Sequence, residues 1–241
     1  MKVLIVIPSR WKSSRFVGKS LALINKIPMI ERVYKRALQS KQADDVCVAT
    51  DNEKILNFCK TRKIKVIMTS EKCKTGSDRV YEVSKKINSD IYVNLQGDEP
   101  LVNPNGIDAI IKLLKKNLKK NILVSTGFVE IRKNIIKEPK GVYLVCNKFN
   151  EIIFLSRYPI TSNFKNKIYK KKHIGIYAFT KKSLQIFNKL KPGELELSES
   201  IEILRLVENG YKIIAEKIKT PLIDVNYPKD IKKVENFLNN K

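Results

Sequence analysis

Four apolar runs of strand length, separated by segments of helical period, constrain this chain more than any other feature. From the N-terminus the order is "KVLIVIP", the helical "PMIERVYKRALQSK", "DVCVATD", the helical "EKILNFCKTR", "KVIMTS", the helical "SDRVYEVSKKI", "DIYVNLQGDEP" and the helical "NGIDAIIKLLKKNL". The strand-length runs are almost continuously apolar, the pattern of strands buried on both faces. Such strands alternating with helices predict an α/β fold with a mostly parallel central sheet flanked by helices. Ligands of open sheets of this kind bind beyond the carboxyl ends of the strands. "PSRWKSSR", "ATDN", "TSEKCKTGSDR" and "QGDEP" each follow a strand, so the pattern places them on one rim.

The second half changes character. "NILVSTGFVEI", "GVYLVCNKFNEIIFLSRYPI" and "KKHIGIYAFT" read as strands, the middle one folded into a hairpin at "NKFNE". "KKSLQIFNKL" and "ESIEILRLVENG" read as helices, the second stopped at Asn209-Gly210. "YKIIAEKI" follows as a late strand and "PKDIKKVENFLNN" as a closing helix. With no internal repeat and no Gly/Ser linker, residues 1–241 read as a single domain carrying a β-rich insertion at about 150–185. Its polar stretch "TSNFKNKIYKKK" has the composition of an exposed arm reaching a second subunit, and a homodimer is the expectation.

A net charge of +24 raises the question of nucleic acid. Only nine of the 48 cations are Arg; the rest are Lys, scattered over every segment. A reader of base edges concentrates Arg on one face, so a solvated basic surface is the expectation and nucleic-acid binding is not. Four cysteines form neither CxxC nor any metal spacing, which suits a reducing cytoplasm and excludes structural zinc. "VLIVI" is too short for a membrane span or a leader's apolar region, so no membrane insertion is expected.

The loop after the first strand, "PSRWKSSRFVGKSL", gathers Arg10, Arg15 and Lys19 around Gly18. Fixed cations and a glycine allowing close backbone approach are what a polyphosphate requires; a merely basic surface loop is the alternative. The spacing is neither that of a P-loop nor GxGxxG. "NLQGDEP" presents Asp98 at the same rim, a hard oxygen donor beside a phosphate-gripping loop, as Mg²⁺-assisted phosphoryl or nucleotidyl transfer requires. An ordinary acidic turn is the competing reading.

Taken together, "IPSRWKSSRFVGKSL", "PMIERVY", "VATDNEKI", "TGSDR", "NLQGDEP", "FLSRYPI", "KHIGIY", "LELSESIEILR" and "DVNYPKDI" resemble, in order and along essentially the whole chain, the 3-deoxy-manno-octulosonate cytidylyltransferases, or CMP-Kdo synthetases. The resemblance implies a Rossmann-like fold of the nucleotide-diphospho-sugar-transferase type. It also implies a Mg²⁺-dependent transfer of CMP from CTP to an acidic eight-carbon sugar, with release of pyrophosphate, for lipopolysaccharide assembly. By that likeness Arg10, Ser14, Arg15 and Lys19 hold the nucleotide phosphates, with Arg10, Lys19 and Asp98 catalytic, and Gly76, Ser77 and Arg79 frame the cytidine. Asp98 would hold the metal. Gln96, Arg157, His173, Tyr177 and Glu202 would face the sugar acid. A related acid sugar, 8-amino-substituted or sialate-like, is the alternative substrate, and a non-catalytic basic nucleic-acid-binding paralogue the other alternative.

Four positions depart from the family's pattern. Asn226 in "DVNYPKD" stands where a second metal carboxylate is usual; its amide oxygen can still ligate Mg²⁺ but brings no charge, and Asp224, two residues earlier and pointing the same way if the strand continues, is the candidate substitute. Tyr143 replaces a lysine, Cys73 a histidine, and Ile203 a glutamine that would bear on sugar choice.

Overall fold

A computed structural model describes residues 1–13, 15–131, 141–160 and 170–240. In chain order β1 (Val3–Ser9) leads through a loop and a 3-10 turn (Lys19–Leu21) into the small ribbon of β2 (Leu23–Ile24) and β3 (Ile27–Pro28), then α1 (Met29–Ala37). Next come β4 (Asp45–Thr50), α2 (Glu53–Thr61), β5 (Val66–Met68), α3 (Gly76–Lys86), β6 (Ile91–Leu95) and α4 (Pro104–Asn117). The remainder holds β7 (Val124–Ile131), β8 (Tyr143–Cys146), β9 (Ile152–Ser156), β10 (Lys170–Thr180), α5 (Lys181–Lys189), α6 (Glu194–Glu199), α7 (Leu204–Glu208), β11 (Ile213–Lys217) and α8 (Pro228–Asn239).

The main sheet runs β11-β7-β10-β6-β1-β4-β5, with the hairpin β8–β9 attached beside the first part of β10. β1 is parallel to β4 and β6, β4 to β5, and β7 to β11. Only β10 along this path runs the other way, antiparallel to β6 and β7. The fold is α/β, a mostly parallel sheet flanked by helices.

Why β1 must be apolar at every position follows from its two neighbourhoods. Val3, Ile5 and Ile7 join a core with Ile30 and Val33 of α1, Ile55 of α2, and Ile107 and Leu114 of α4. Leu4 and Val6 face the opposite side and pack with Val80 and Val83 of α3, Leu184 and Phe187 of α5, and Leu206 of α7. Alternation along a strand sends successive side chains to opposite faces, and both faces here are covered. A third, smaller cluster joins Ile24, Met29, Leu101, Val225 and Val234, so α8 closes over the ribbon and over the exit from β6.

Caps explain where several helices begin. Thr75 and Asp78 form a reciprocal capping box at α3. Asn103 caps α4 ahead of Pro104, and Thr180 caps α5 as β10 ends.

One expected helix is corrected. "ESIEILRLVENG" is not continuous: α6 covers Glu194–Glu199, Ser200 adopts φ 52, and α7 resumes only at Leu204. A left-handed residue cannot continue a right-handed helix, and the break frees Glu202 from any helix face. The late strand expected at "YKIIAEKI" is β11, and it does not continue to Asp224, so strand alternation is not what orients that side chain.

The ends of β1 and β6 meet closely. A Cβ on Gly97 would lie 2.9 Å from the carbonyl oxygen of Pro8, a backbone atom that cannot swing aside. Gly97→Ala therefore lowers unfolding free energy by about 1–3 kcal/mol, as overpacking does, which urea denaturation measures.

Candidate active site

Residues far apart in sequence converge where β1 and β6 end. The loop leaving β1 is closed at its base by a buried hydrogen bond from Ser9 Oγ to Ser20 Oγ, 2.6 Å. Gly18 turns it with φ +68, and its N–H donates to the carbonyl of Trp11 at 3.0 Å. Lys19 follows at the start of the 3-10 turn, and its ammonium donates to Asp98 Oδ2 at 2.7 Å and to the carbonyl of Val225 at 3.1 Å. Arg10 and Arg15 stand exposed on the same loop, Arg15 with its guanidinium 5.8 Å from the Tyr227 ring at the start of α8. Ser14 lies outside the described residues.

The segment carrying Asp224 and Asn226 is held by the third apolar cluster. Val225 between them is fully buried, and its N–H donates to the Asp98 carbonyl at 3.0 Å. The Asn226 side-chain amide donates to the Asp224 carboxylate. Next to Asp98, the Glu99 carboxyl is pushed up to about 8, first by burial and then by the charges of Asp98 and Asp224. Lys172 and the Gly175 N–H act against that shift. In a chain of net charge +24, three acids crowd one spot.

This spot is where Mg²⁺ would be held. Mg²⁺ is usually bound by one or two carboxylates completed by water and substrate phosphates. Asp98 and Asp224 supply such a pair, and among the described residues no three His, Cys, Asp or Glu side chains form a self-sufficient protein cage. The donors present fit that ion.

On the other side of β6, the start of α3 packs against the sheet. A Cβ on Gly76 would lie 3.1 Å from both Asn94 Nδ2 and Gln96 Nε2. Fully buried Asn94 donates to Ser77 Oγ and Glu202 Oε1, each at 3.2 Å, while the Ser77 N–H donates to Glu202 Oε2 at 3.1 Å. Burial pushes the Glu202 carboxyl up, and its bonds from Ser77 and Thr75 oppose that. Arg79 is 3% exposed, its guanidinium donating to Thr69 Oγ1 at 2.5 Å and to Asp51 Oδ2 at 2.8 Å. It braces β4, β5 and α3 from within, so any part it has in framing a base passes through Thr69 and Asp51.

β10 brings the remaining candidates. Tyr177 pairs opposite Asn94, and His173 stacks on Tyr177 with centroids 5.1 Å apart. The Thr126 hydroxyl donates to the Ile176 carbonyl at 2.7 Å, so its oxygen accepts from His173 Nε2 at 2.9 Å and leaves Nδ1 as the acceptor. Burial first, and the Arg157 charge second, lower the His173 pKa to about 3. The ring is neutral at physiological pH. Arg157 donates to the carbonyls of Glu199 and Ser200 at 3.0 and 2.8 Å, the end of α6 that the left-handed Ser200 creates. Its charge also bears on Tyr177, as does that of Glu202. Gln96, Arg157, His173, Tyr177 and Glu202 thus share one neighbourhood.

Residues 4–218 match the Cytidylyltransferase family. An 8-amino-3,8-dideoxy-manno-octulosonate cytidylyltransferase of Shewanella baltica (strain OS185) is 36% identical over 242 residues, covering 99% of each chain. One of the same name from Shewanella frigidimarina (strain NCIMB 400) is 38% identical, covering 98% of each. A CMP:2-keto-3-deoxy-manno-octonic acid synthetase, solved in complex with CTP, superposes with TM-score 0.92 at 35% identity, covering 100% of this chain and 99% of the other. This chain belongs to the CMP-Kdo synthetase family of cytidylyltransferases. A UDP-glucose pyrophosphorylase, 15% identical with TM-score 0.74 over 100% of this chain and 99% of the other, shows the shared fold alone.

In this cytidylyltransferase the departures sort by burial. Ile203 is fully buried in the apolar cluster that also holds Tyr177, so it has no exposed surface with which to meet a sugar directly. Tyr143 is also buried, but Lys172 sits directly across from it in the β8–β10 pairing and brings a cation to Glu99. Cys73 lies in the β5–α3 loop and contacts Glu82, away from the acids. Glu99, Lys172 and Asn94 are the site residues that sequence reasoning missed. Each had a signal: Glu99 adjoins Asp98, Lys172 precedes His173, and Asn94 shares a strand face with Gln96.

The His173 shift has a consequence for stability. Its folded pKa is about 3, below the usual value of about 6.5, so the unfolded chain binds a proton that the native one refuses. Stability contributed by the neutral ring is complete above the unfolded value and is lost as pH falls toward 3. His173→Gln is expected to flatten the pH dependence of urea-unfolding free energy over that window by up to about 1.4 kcal/mol per pH unit. An unchanged slope would contradict the assignment.

Proposed function

We propose that this cytidylyltransferase joins CTP to 3-deoxy-manno-octulosonate, giving CMP-Kdo and pyrophosphate with Mg²⁺. The observation that carries this reading is the contact of Lys19 with both Asp98 and Val225. It sets a phosphate-type loop against Asp98 after β6 and against the segment that carries Asp224. The sugar's anomeric hydroxyl attacks the α-phosphorus, and pyrophosphate leaves.

Transfer at phosphorus depends on alignment and on neutralising charge. Lys19 serves both requirements. Its ammonium is anchored at the acids, within one loop of Arg10 and Arg15, so the three cations bracket a triphosphate. Asp98 and Asp224 would hold Mg²⁺, which when bound neutralises phosphate oxygens and favours departure of pyrophosphate. The Asn226 amide keeps Asp224 aimed at that place. On the acceptor side, neutral His173 can hydrogen-bond a sugar hydroxyl but cannot answer a carboxylate, which leaves that to Arg157. Glu202, Gln96 and Tyr177 suit the remaining hydroxyls. A surface of net charge +24 draws anionic substrates from a distance. The insertion with exposed Ile153, Tyr158 and Ile160 is where a homodimer would form, residues 161–169 of its polar stretch lying outside the described residues, and the cytoplasm is the expected place of action.

A second reading, the 8-amino derivative as acceptor, is favoured by the names of the Shewanella relatives. Pyrophosphate release from CTP, measured in parallel with 3-deoxy-manno-octulosonate, its 8-amino derivative and a sialic acid, with and without Mg²⁺, decides among them. Asp98→Ala is expected to lower kcat with the preferred sugar by about 100-fold or more, the scale of losing a group that stabilises transition-state charge. No release with any of the three acids would sink the proposal.

A further inference from the structure

The loop that Lys19 terminates has its own brace, and it is made by the protein's single tryptophan. The Trp11 ring lies against Gly18. A Cβ at residue 18 would sit 2.9 Å from Trp11 Cη2, 3.2 Å from Cζ2 and 3.3 Å from Cζ3, so only glycine leaves room for the ring. The same two residues are joined through the backbone, Gly18 N–H to Trp11 carbonyl at 3.0 Å. The indole also carries the Lys54 ammonium over its ring, 4.8 Å from the centroid. Lys54 is in the first turn of α2, which Asn52 caps by accepting from the Lys54 N–H at 3.0 Å. The Asn52 N–H in turn donates to Thr50 Oγ1 at 3.3 Å, and Thr50 pairs with Ser9 in the β1–β4 ladder. A continuous set of contacts thus runs from the sheet through α2 and the indole to the residue before Lys19.

Such a brace answers an electrostatic problem. Arg10, Lys12, Arg15 and Lys19 lie within ten residues, and Arg10, Lys12 and Arg15 are exposed. Four like charges on a short loop repel one another and favour splayed conformations, whereas a triphosphate needs them convergent before it arrives. Holding a binding loop in its bound shape strengthens affinity by removing the ordering penalty from the binding step.

We propose that Trp11, held by Gly18 and Lys54, is a positioning residue for the nucleotide: it keeps the loop after β1 in the shape that presents its cations to a triphosphate. This rests on the reading that the loop takes CTP. Once the triphosphate is bound it draws the cations together itself, so the brace acts on nucleotide affinity and not on the chemical step.

Calorimetric titration with CTP and steady-state pyrophosphate release test this on the full-length protein. Trp11→Ala is expected to raise both the Kd and the KM for CTP about tenfold, with kcat and the sugar KM within about twofold of the parent, the pattern of lost binding that is equal in ground and transition states. Trp11→Phe, which keeps a flat ring on Gly18, should recover most of the affinity. Lys54→Met changes an exposed side chain and leaves folding intact, so it remains informative even if Trp11→Ala unfolds; it should raise the Kd about threefold, the scale of one exposed cation–π contact. An unchanged Kd in Trp11→Ala or in Lys54→Met overturns the inference, as does a proportional fall in kcat and melting temperature that Trp11→Phe fails to rescue, which would make the indole a simple core plug. Lys19→Ala separates the two levels. If it weakens CTP while Trp11→Ala does not, only the brace is wrong; if it too leaves the Kd unchanged, the loop is not the nucleotide site.

Discussion

Three stretches of chain meet at one ammonium group. Lys19 Nζ touches Asp98 and Val225, partners 79 and 206 residues away in sequence. Each partner is itself delivered by the core: Asp98 by the end of β6, Val225 by the apolar cluster under α8, and Lys19 by a loop closed at Ser9 and Ser20. With side chains 16% and 26% exposed, the Lys19–Asp98 pair is screened less than a surface pair. A hydrogen bond to a charged group contributes about 1.5–3 kcal/mol. Its larger effect is geometric, because it brings the loop cations and the strand-end acids to one place before any substrate arrives.

The sheet makes that meeting unavoidable. β1 and β6 are parallel neighbours, so both point their carboxyl ends at the same rim. Gly97 lets those ends approach to backbone contact. β10, entering antiparallel between β6 and β7, carries its own first residues to that rim and so sets Lys172 beside the acids and His173 against Tyr177 and Thr126. A parallel strand in this place would have delivered its last residues instead. The break at Ser200 serves the same end, since it releases Glu202 to receive the Ser77 N–H and gives Arg157 two free carbonyls to hold.

Charge sorting divides the rim into two parts. Around Lys19 the groups are charged and partly open, as suits a triphosphate. His173 and Tyr177 are buried and Glu202 is half-buried, and desolvation holds the imidazole neutral and pushes the phenol and carboxyl up. Glu99 sits at the seam, beside Asp98 and bonded from Gly175 of β10. On the proposed function, hydroxyl recognition would fall to the buried part, and the guanidinium of Arg157 would answer a carboxylate.

Much of this was legible in the residues. Continuous apolar runs announced buried parallel strands, because a strand covered on both faces admits polar side chains on neither, and the strand-end rule gathered the loops of Lys19 and Asp98 on one rim. Periodicity failed at "ESIEILR", where Ile201, Leu204 and Leu206 are buried as a helix would bury them while the chain turns at Ser200. The position of Ile203 in a motif likewise said nothing of the core it enters. The sequence by itself determined the sheet, its helical cover and the chemical character of the site, since these depend on local pattern and residue type. Only the tertiary structure decided that Arg79 is an internal brace, that Lys172 stands across from Tyr143, and that Trp11 meets both Gly18 and Lys54. Those pairings depend on register and on contacts across strands and helices, which no local pattern encodes.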